Sequence, residues 1–184
     1  MSAGETPHSL ELVIDFVNTV DPDEDTDELA TPEGLGGWLA QRGLLDAQAP
    51  PLREGQRRRA IRLREALLSQ MLAHNGLGVD EQAALELDEV AHRGALSVRF
   101  SADGSAPLLP GARGFDAALA QLLVPVAEGT RDGSWLRVKA CRADDCRWAF
   151  YDRSRNRSGV WCDMAVCGNR AKVRAHRLRG ASID

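Results

Sequence analysis

Cys141-Arg-Ala-Asp-Asp-Cys146 and Cys162-Asp-Met-Ala-Val-Cys167-Gly168-Asn169-Arg170 contain all four cysteines of this 184-residue chain. Each pair encloses four residues, and fifteen residues separate the pairs. Two short cysteine pairs at about this separation are the usual way to deliver four thiolates to tetrahedral zinc. Two disulfides or four free thiols are the alternatives. A disulfide framework belongs to short, secreted, cysteine-dense chains. Here Met1 to His8 carry neither the basic nor the apolar region of a secretory signal. Free thiols would not be expected to crowd into 27 residues after 140 residues without one. A catalytic zinc keeps one position open for water, whereas four cysteines close the shell. Cys141, Cys146, Cys162 and Cys167 are therefore expected to hold one structural Zn2+.

Around this site the pattern is knuckle, hairpin, knuckle-into-helix, a treble-clef-like order. Trp135-Leu-Arg-Val-Lys139 alternates and leads into the first pair as a strand, and Trp148-Ala-Phe-Tyr-Asp152 is a second short strand. A basic loop follows, with Arg153, Arg155 and Arg157 at alternate positions, and the last cysteine opens a helix through about Arg179. On that helix Arg170, Arg174 and Arg177 fall on one side and Ala171, Ala175 and Leu178 share another, while Lys172 is a further basic residue away from the arginine stripe. Arginine suits bidentate phosphate and guanine contacts. Arg153, Arg155, Arg157, Arg170, Lys172, Arg174 and Arg177 are the candidate nucleic-acid contacts. The alternative is that some of them neutralise thiolates or the acidic part of the chain. Five of the nine aromatics lie between Trp135 and Trp161, and a module this small needs them as core before base stacking.

The overall charge of −4 conceals an asymmetry. Residues 131–184 hold 13 basic and 6 acidic side chains, a net of +7, and residues 1–130 hold 10 and 21, a net of −11. Such a split points to an interaction surface on the basic part, or to attraction between the two parts.

The run from Cys162 to Arg170, preceded by Asp152-Arg-Ser-Arg-Asn-Arg-Ser158 and followed by Ala171-Lys-Val-Arg-Ala-His-Arg177, resembles the CGNR zinc-finger family of bacterial proteins. Leu12-Val-Ile-Asp-Phe-Val-Asn-Thr-Val20 and Trp38-Leu-Ala-Gln-Arg-Gly-Leu-Leu45 resemble that family's N-terminal domain, called ABATE. The resemblance implies a bacterial transcription regulator with a DNA-binding finger.

Upstream, residues 10–20 fit a helical face (10, 13, 14, 17) or a strand (10, 12, 14, 16); the helix is favoured, with Ser9 as its cap. Asp15 and Asn18 interrupt the apolar run and are candidates for a ligand pocket, or else lie on the solvated face. Asp21 to Glu28 reads as a solvated acidic loop; an EF-hand reading fails because Thr26 and Pro32 stand where glycine and glutamate are needed. Thr31-Pro32 starts a short helix. Ala60, Leu63, Leu67 and Met71 stripe a long helix over about 52–74, stopped by Asn75-Gly76. Arg57, Arg58, Arg59, Arg62 and Arg64 crowd its first half; a nucleic-acid surface is one reading, and a solvated helix face is preferred because the surrounding domain is acidic. Asp80 caps another helix, residues 95–100 and 106–109 form a hairpin around Asp103-Gly104, and a helix from Gly114 should bend or end at Pro125.

These readings give an α+β protein. Its ABATE-like domain, about 1–130, is mostly helical with a β-hairpin, and its treble-clef-like four-cysteine zinc module spans about 131–184. The expected function is a cytoplasmic DNA-binding transcription regulator, with a candidate small-molecule effector at the N-terminal domain and a candidate homodimer. The alternative is a zinc-stabilised RNA-binding or protein-interaction module. No apolar run reaches the 18 or more residues of a membrane helix. No phosphate loop, nucleophile motif or metal-binding histidine pair supports an enzyme.

Overall fold

The computed structural model describes residues 6–180, apart from the side chains of His8 and of residues 175–180. Helix α1 (His8–Val17) leads to a two-residue ribbon, β1 (Val20–Asp21) against β2 (Thr26–Asp27). Helices α2 (Pro32–Gln41), α3 (Glu54–His74) and α4 (Glu81–Arg93) follow. The hairpin β3 (Leu96–Val98) and β4 (Leu108–Pro110) precedes α5 (Gly114–Asp132). The chain ends with the pair β5 (Val138–Ala140) and β6 (Ala149–Tyr151), a π-helical turn at Met164–Gly168, and α6 (Asn169–Gly180). This is the expected α+β architecture.

Most helix boundaries follow local chemistry. Thr31 caps α2, its hydroxyl accepting from the Gly34 amide at 3.1 Å. Asp80 caps α4 through the Gln82 amide at 2.9 Å. Each cap satisfies a donor that the first helical turn leaves free. Helix α1 begins earlier than Ser9: the Pro7 carbonyl accepts from Leu10 and Glu11, and Ser9 lies inside the helix. Helix α5 runs through Pro125 to Asp132. Proline removes a backbone donor there, but Leu119, Leu122, Leu123 and Pro125 itself are all buried, so packing holds the helix together past the lost bond. The segment from Trp135 also departs from expectation. Trp135–Arg137 is a 3-10 turn rather than a strand, because Trp135 turns inward against His74, ring centroids 5.4 Å apart.

Helix α3 is the central element. Ala60, Leu63, Leu67 and Met71 are fully buried on its stripe, against Leu10, Val13 and Phe16 of α1 and Ala118, Leu119 and Leu122 of α5. Trp135, Val138, Ala140 and Ala149 belong to the same apolar cluster. The core is thus continuous from α1 to β6, and the strands next to the first cysteine pair have no separate core of their own.

The arginines of α3 are not simply solvated. Arg57 and Arg58 pair with Glu54, Arg59 with Asp116 and Arg62 with Glu86. Arg64, 5% exposed, clamps both oxygens of Asp27 at 2.7 and 3.1 Å and donates to the Thr19 hydroxyl at 3.1 Å. The acidic stretch is therefore a ribbon tied to the core. Burial alone would raise the Asp27 carboxyl, but the Arg64 hydrogen bond, the Leu29 amide and the Arg64 and Arg57 charges together hold it below its ordinary value.

Candidate metal centre and basic surface

The four cysteine sulfurs converge within 4.8 Å of one another, and none is in a disulfide. Cys141 comes from the end of β5, Cys146 from the knuckle after it, Cys162 from the return of the basic loop, and Cys167 from the π-helical turn. Asp163 caps that turn, accepting from the Val166 amide at 2.9 Å, and its carbonyl accepts from the Cys167 amide at 3.0 Å. Cys141 and Cys167 are nearly inaccessible.

Zinc–sulfur bonds of about 2.3 Å in a tetrahedron place sulfurs about 3.8 Å apart. Cys146 to Cys162 is 3.6 Å and Cys162 to Cys167 is 3.7 Å. The thiol chemistry agrees. Burial, with the Cys146 and Cys141 sulfurs adding, pushes the Cys162 thiol far up and Cys167 up to about 12, the latter against a hydrogen bond with Cys162 that works the other way. Burial also opposes the Cys141 thiolate, but the Ala143 and Cys162 amides outweigh it and bring Cys141 down. Four such groups ionise together only when a cation shares their cage. The site is a closed four-cysteine zinc site with a structural role.

The zinc-bearing segment is joined to the helical body through its backbone edges. Cys141 donates to the Trp148 carbonyl at 2.9 Å, which makes Ala140–Ala149 a non-hydrogen-bonded pair of the ladder, with its backbone groups pointing outward. Those outward groups find partners on the body. The Asn75 side chain donates to the Ala140 carbonyl at 2.8 Å and to the Val160 carbonyl at 2.9 Å. His74 Nδ1 meets the Val138 carbonyl at 2.9 Å. On the other edge Asn18 accepts from the Ala149 amide at 2.8 Å and donates to the Ala149 carbonyl at 3.0 Å. Asn18, a pocket candidate in the sequence, is thus engaged as an edge clasp. Asp15 is exposed, 4.0 Å from Arg42. The two do not converge on a common ligand.

The candidate nucleic-acid contacts divide by partner. Arg170 reaches Asp23 of the β1–β2 turn at 3.3 Å and Asp145 at 3.8 Å, and Arg174 reaches the same Asp145 at 3.4 Å. Arg153 donates to the Thr6 hydroxyl at 3.2 Å. Arg155, Arg157 and Lys172 are exposed and make no ion pair among the described residues. The side chain of Arg177 lies outside the described residues.

The loop carrying Arg153, Arg155 and Arg157 is built on two buried charges that the sequence reading missed. Lys139, 4% exposed, donates to Asp152 Oδ2 at 2.7 Å, to the Arg157 carbonyl at 2.6 Å and to the Gly159 carbonyl at 3.0 Å. Asp152, 3% exposed, accepts from the Ser154 and Gly159 amides, each at 2.9 Å. Burial would raise its carboxyl, yet the Lys139 and Ser154 hydrogen bonds and the Lys139 charge hold it below the ordinary range. A lysine in the alternating Trp135–Lys139 segment, thirteen residues before an aspartate, was the only available signal.

Fold and site together define a zinc-finger protein: a helical body with a four-cysteine finger docked on its α1–α3 face. Residues 10–132, two thirds of the chain, match the family model ABATE, described as a "putative stress-induced transcription regulator". Residues 137–180 match the CGNR zinc finger. The chain belongs to the ABATE family and carries a CGNR zinc finger, as the resemblance at Leu12–Val20 and Cys162–Arg170 implied. No curated protein matches it.

Proposed function

We propose that this protein is a cytoplasmic transcription regulator whose finger binds DNA through the 153–158 loop and the exposed face of α6. The observation that carries the reading is a contrast in arginine use. Among the described residues the arginine cluster of α3 is paired with acidic groups of the body, whereas Arg155, Arg157 and Lys172 stand in solvent without one. Exposed, unpaired arginines and lysines on a net-positive segment are what a phosphate backbone recruits. Family membership supports a regulatory role, and no helix of the described residues is long and apolar enough to cross a membrane. The proposal includes no catalytic activity. Regulation by a small effector or by dimerisation would fall to the helical body.

The test is a mobility shift with the zinc-loaded full chain and a pool of genomic DNA fragments, followed by selection of the bound ones. Retarded complexes that disappear on chelation are expected. Absence of any complex at low salt refutes the proposal. A protein-interaction role is the second reading, favoured by Met164, Val166 and Val173, which are exposed apolar side chains on the π-helical turn and α6. No binding to either nucleic acid, with capture of a protein partner, would favour that class, and equal binding to single-stranded RNA would instead favour an RNA-binding module.

A further inference from the structure

We infer that Lys139 and Asp152 are positioning residues for DNA binding: a buried ion pair beneath the 153–159 loop that fixes the path on which Arg155 and Arg157 are presented. This rests on the DNA-binding reading above and adds to it how the loop is made ready for a polyanion.

Seven consecutive residues with three arginines and two serines have little reason to hold one conformation by themselves. They lack an apolar anchor, and the like charges of Arg153, Arg155 and Arg157 repel. In the structure the backbone is nevertheless tied at four places from below. Lys139 Nζ holds the carbonyls of Arg157 and Gly159. Asp152 holds the amides of Ser154 and Gly159. Arg137 adds bonds to the carbonyls of Asp152 and Ser154 at 3.0 and 3.1 Å. Within the loop the Ser158 amide reaches the Ser154 hydroxyl at 3.0 Å, and Arg157 takes a left-handed φ of 53°. Gly159 is part of the device: a Cβ there would stand 2.8 Å from Asp152 Oδ1 and 3.0 Å from its Cγ.

A buried pair of this kind is poorly suited to stability alone, since an apolar pair of similar volume often does as well. What it supplies is geometry. The lysine neutralises the carboxylate, its remaining protons bind loop carbonyls, and neither charge is left to attract the arginines outside. The ordering cost that a flexible arginine loop would meet on binding phosphate is met in folding instead. Lys139 and Asp152 are themselves too buried to touch DNA.

Four variants of the full chain decide the matter: Lys139→Met, Gly159→Ala, Arg155→Ala/Arg157→Ala, and Lys139→Met combined with the arginine double variant. Duplex DNA is titrated at several salt concentrations, zinc content and melting are followed in parallel, and amide exchange is measured over the loop. Each phosphate contact contributes about 0.9 to the slope of log K against log salt. The arginine double variant is expected to lower the slope by about 1.8. Lys139→Met should lower affinity at every salt concentration with zinc retained and little change in slope, with faster exchange over residues 153–159, and should add little in the combined variant. Gly159→Ala should lower affinity in the same way, and it carries the test if Lys139→Met fails to fold. A wild-type slope and affinity in both Lys139→Met and Gly159→Ala, with the arginine double variant weakened, overturns the positioning role and leaves the DNA-binding proposal intact. An additive combined variant also overturns it. An unchanged slope in the arginine double variant overturns the loop contact itself, and the inference with it.

Discussion

Replacing Asn75 with alanine removes a side chain that donates to both the Ala140 and Val160 carbonyls, at 2.8 and 2.9 Å, from a site 3% exposed. The Val160 carbonyl keeps the Arg142 amide at 3.2 Å, so its loss is an ordinary hydrogen bond, about 0.5–1.5 kcal/mol. The Ala140 carbonyl faces away from the strand ladder and is left without that donor, at about 1–3 kcal/mol. The expected destabilisation is roughly 1.5–4.5 kcal/mol, which in a chain of this size lowers Tm by roughly 3–18 °C. The strands β5 and β6 belong to the apolar cluster of the helical body, and the cysteines with Ala143, Trp148 and Trp161 form a small second cluster directly beside it, so the loss should appear in one cooperative transition. Urea unfolding of Asn75→Ala, followed by far-UV circular dichroism and by zinc release to a chromogenic chelator, should show both midpoints falling together with unchanged slope. A variant within about 0.5 kcal/mol of wild type, or a finger that releases zinc while the helices keep their original midpoint, would refute the shared-core account.

Three further outcomes follow from particular contacts. Gly94→Ala should cost about 1–3 kcal/mol in urea, because a Cβ there would overlap the Ala120 side chain of α5 and stand 3.1 Å from the Asp116 carbonyl. The depressed Asp27 carboxyl contributes stability that is complete well above its ordinary value of 3.8 and is lost as pH falls through the lower folded value. Wild type should therefore lose stability more steeply than Asp27→Asn as pH falls below about 5, and parallel curves would count against the Arg64 clamp. Asp23→Asn removes the exposed partner of Arg170 and should raise DNA affinity at low salt by up to about fivefold, the equivalent of a surface ion pair, with no gain at high salt; a loss of affinity in titrations would contradict the proposed path of the phosphates.

The metal site was legible because its information is local. Four cysteines at matched spacing specify a zinc cage without reference to the rest of the chain, and the same is true of the Thr31 and Asp80 caps and of the α3 stripe. What could not be read depends on partners far along the chain. Asn18 looked like a polar interruption in an apolar helix, since its partner, Ala149, is 131 residues away. Arg64 looked like one of several solvated arginines, yet Asp27 and Thr19 draw it inward across 37 and 45 residues. Pro125 signalled a break that the burial of its own helix face overrides. The loop arginines were visible as charge. Their support was not, because Lys139 lies within an otherwise ordinary alternating strand pattern and becomes a buried anchor only once β5 and β6 pair.

The most direct test of the DNA-binding account is the salt dependence of duplex DNA binding by the unmodified 184-residue chain. Arg155, Arg157 and Lys172 alone, each on one phosphate, give a slope of log K against log salt of about −2.7, and engagement of Arg153, Arg170 and Arg174 as well brings it to about −5.4. A measured slope between these values, lost when zinc is removed, is the predicted result. A slope near zero, or one that persists unchanged in the chelated protein, would contradict it.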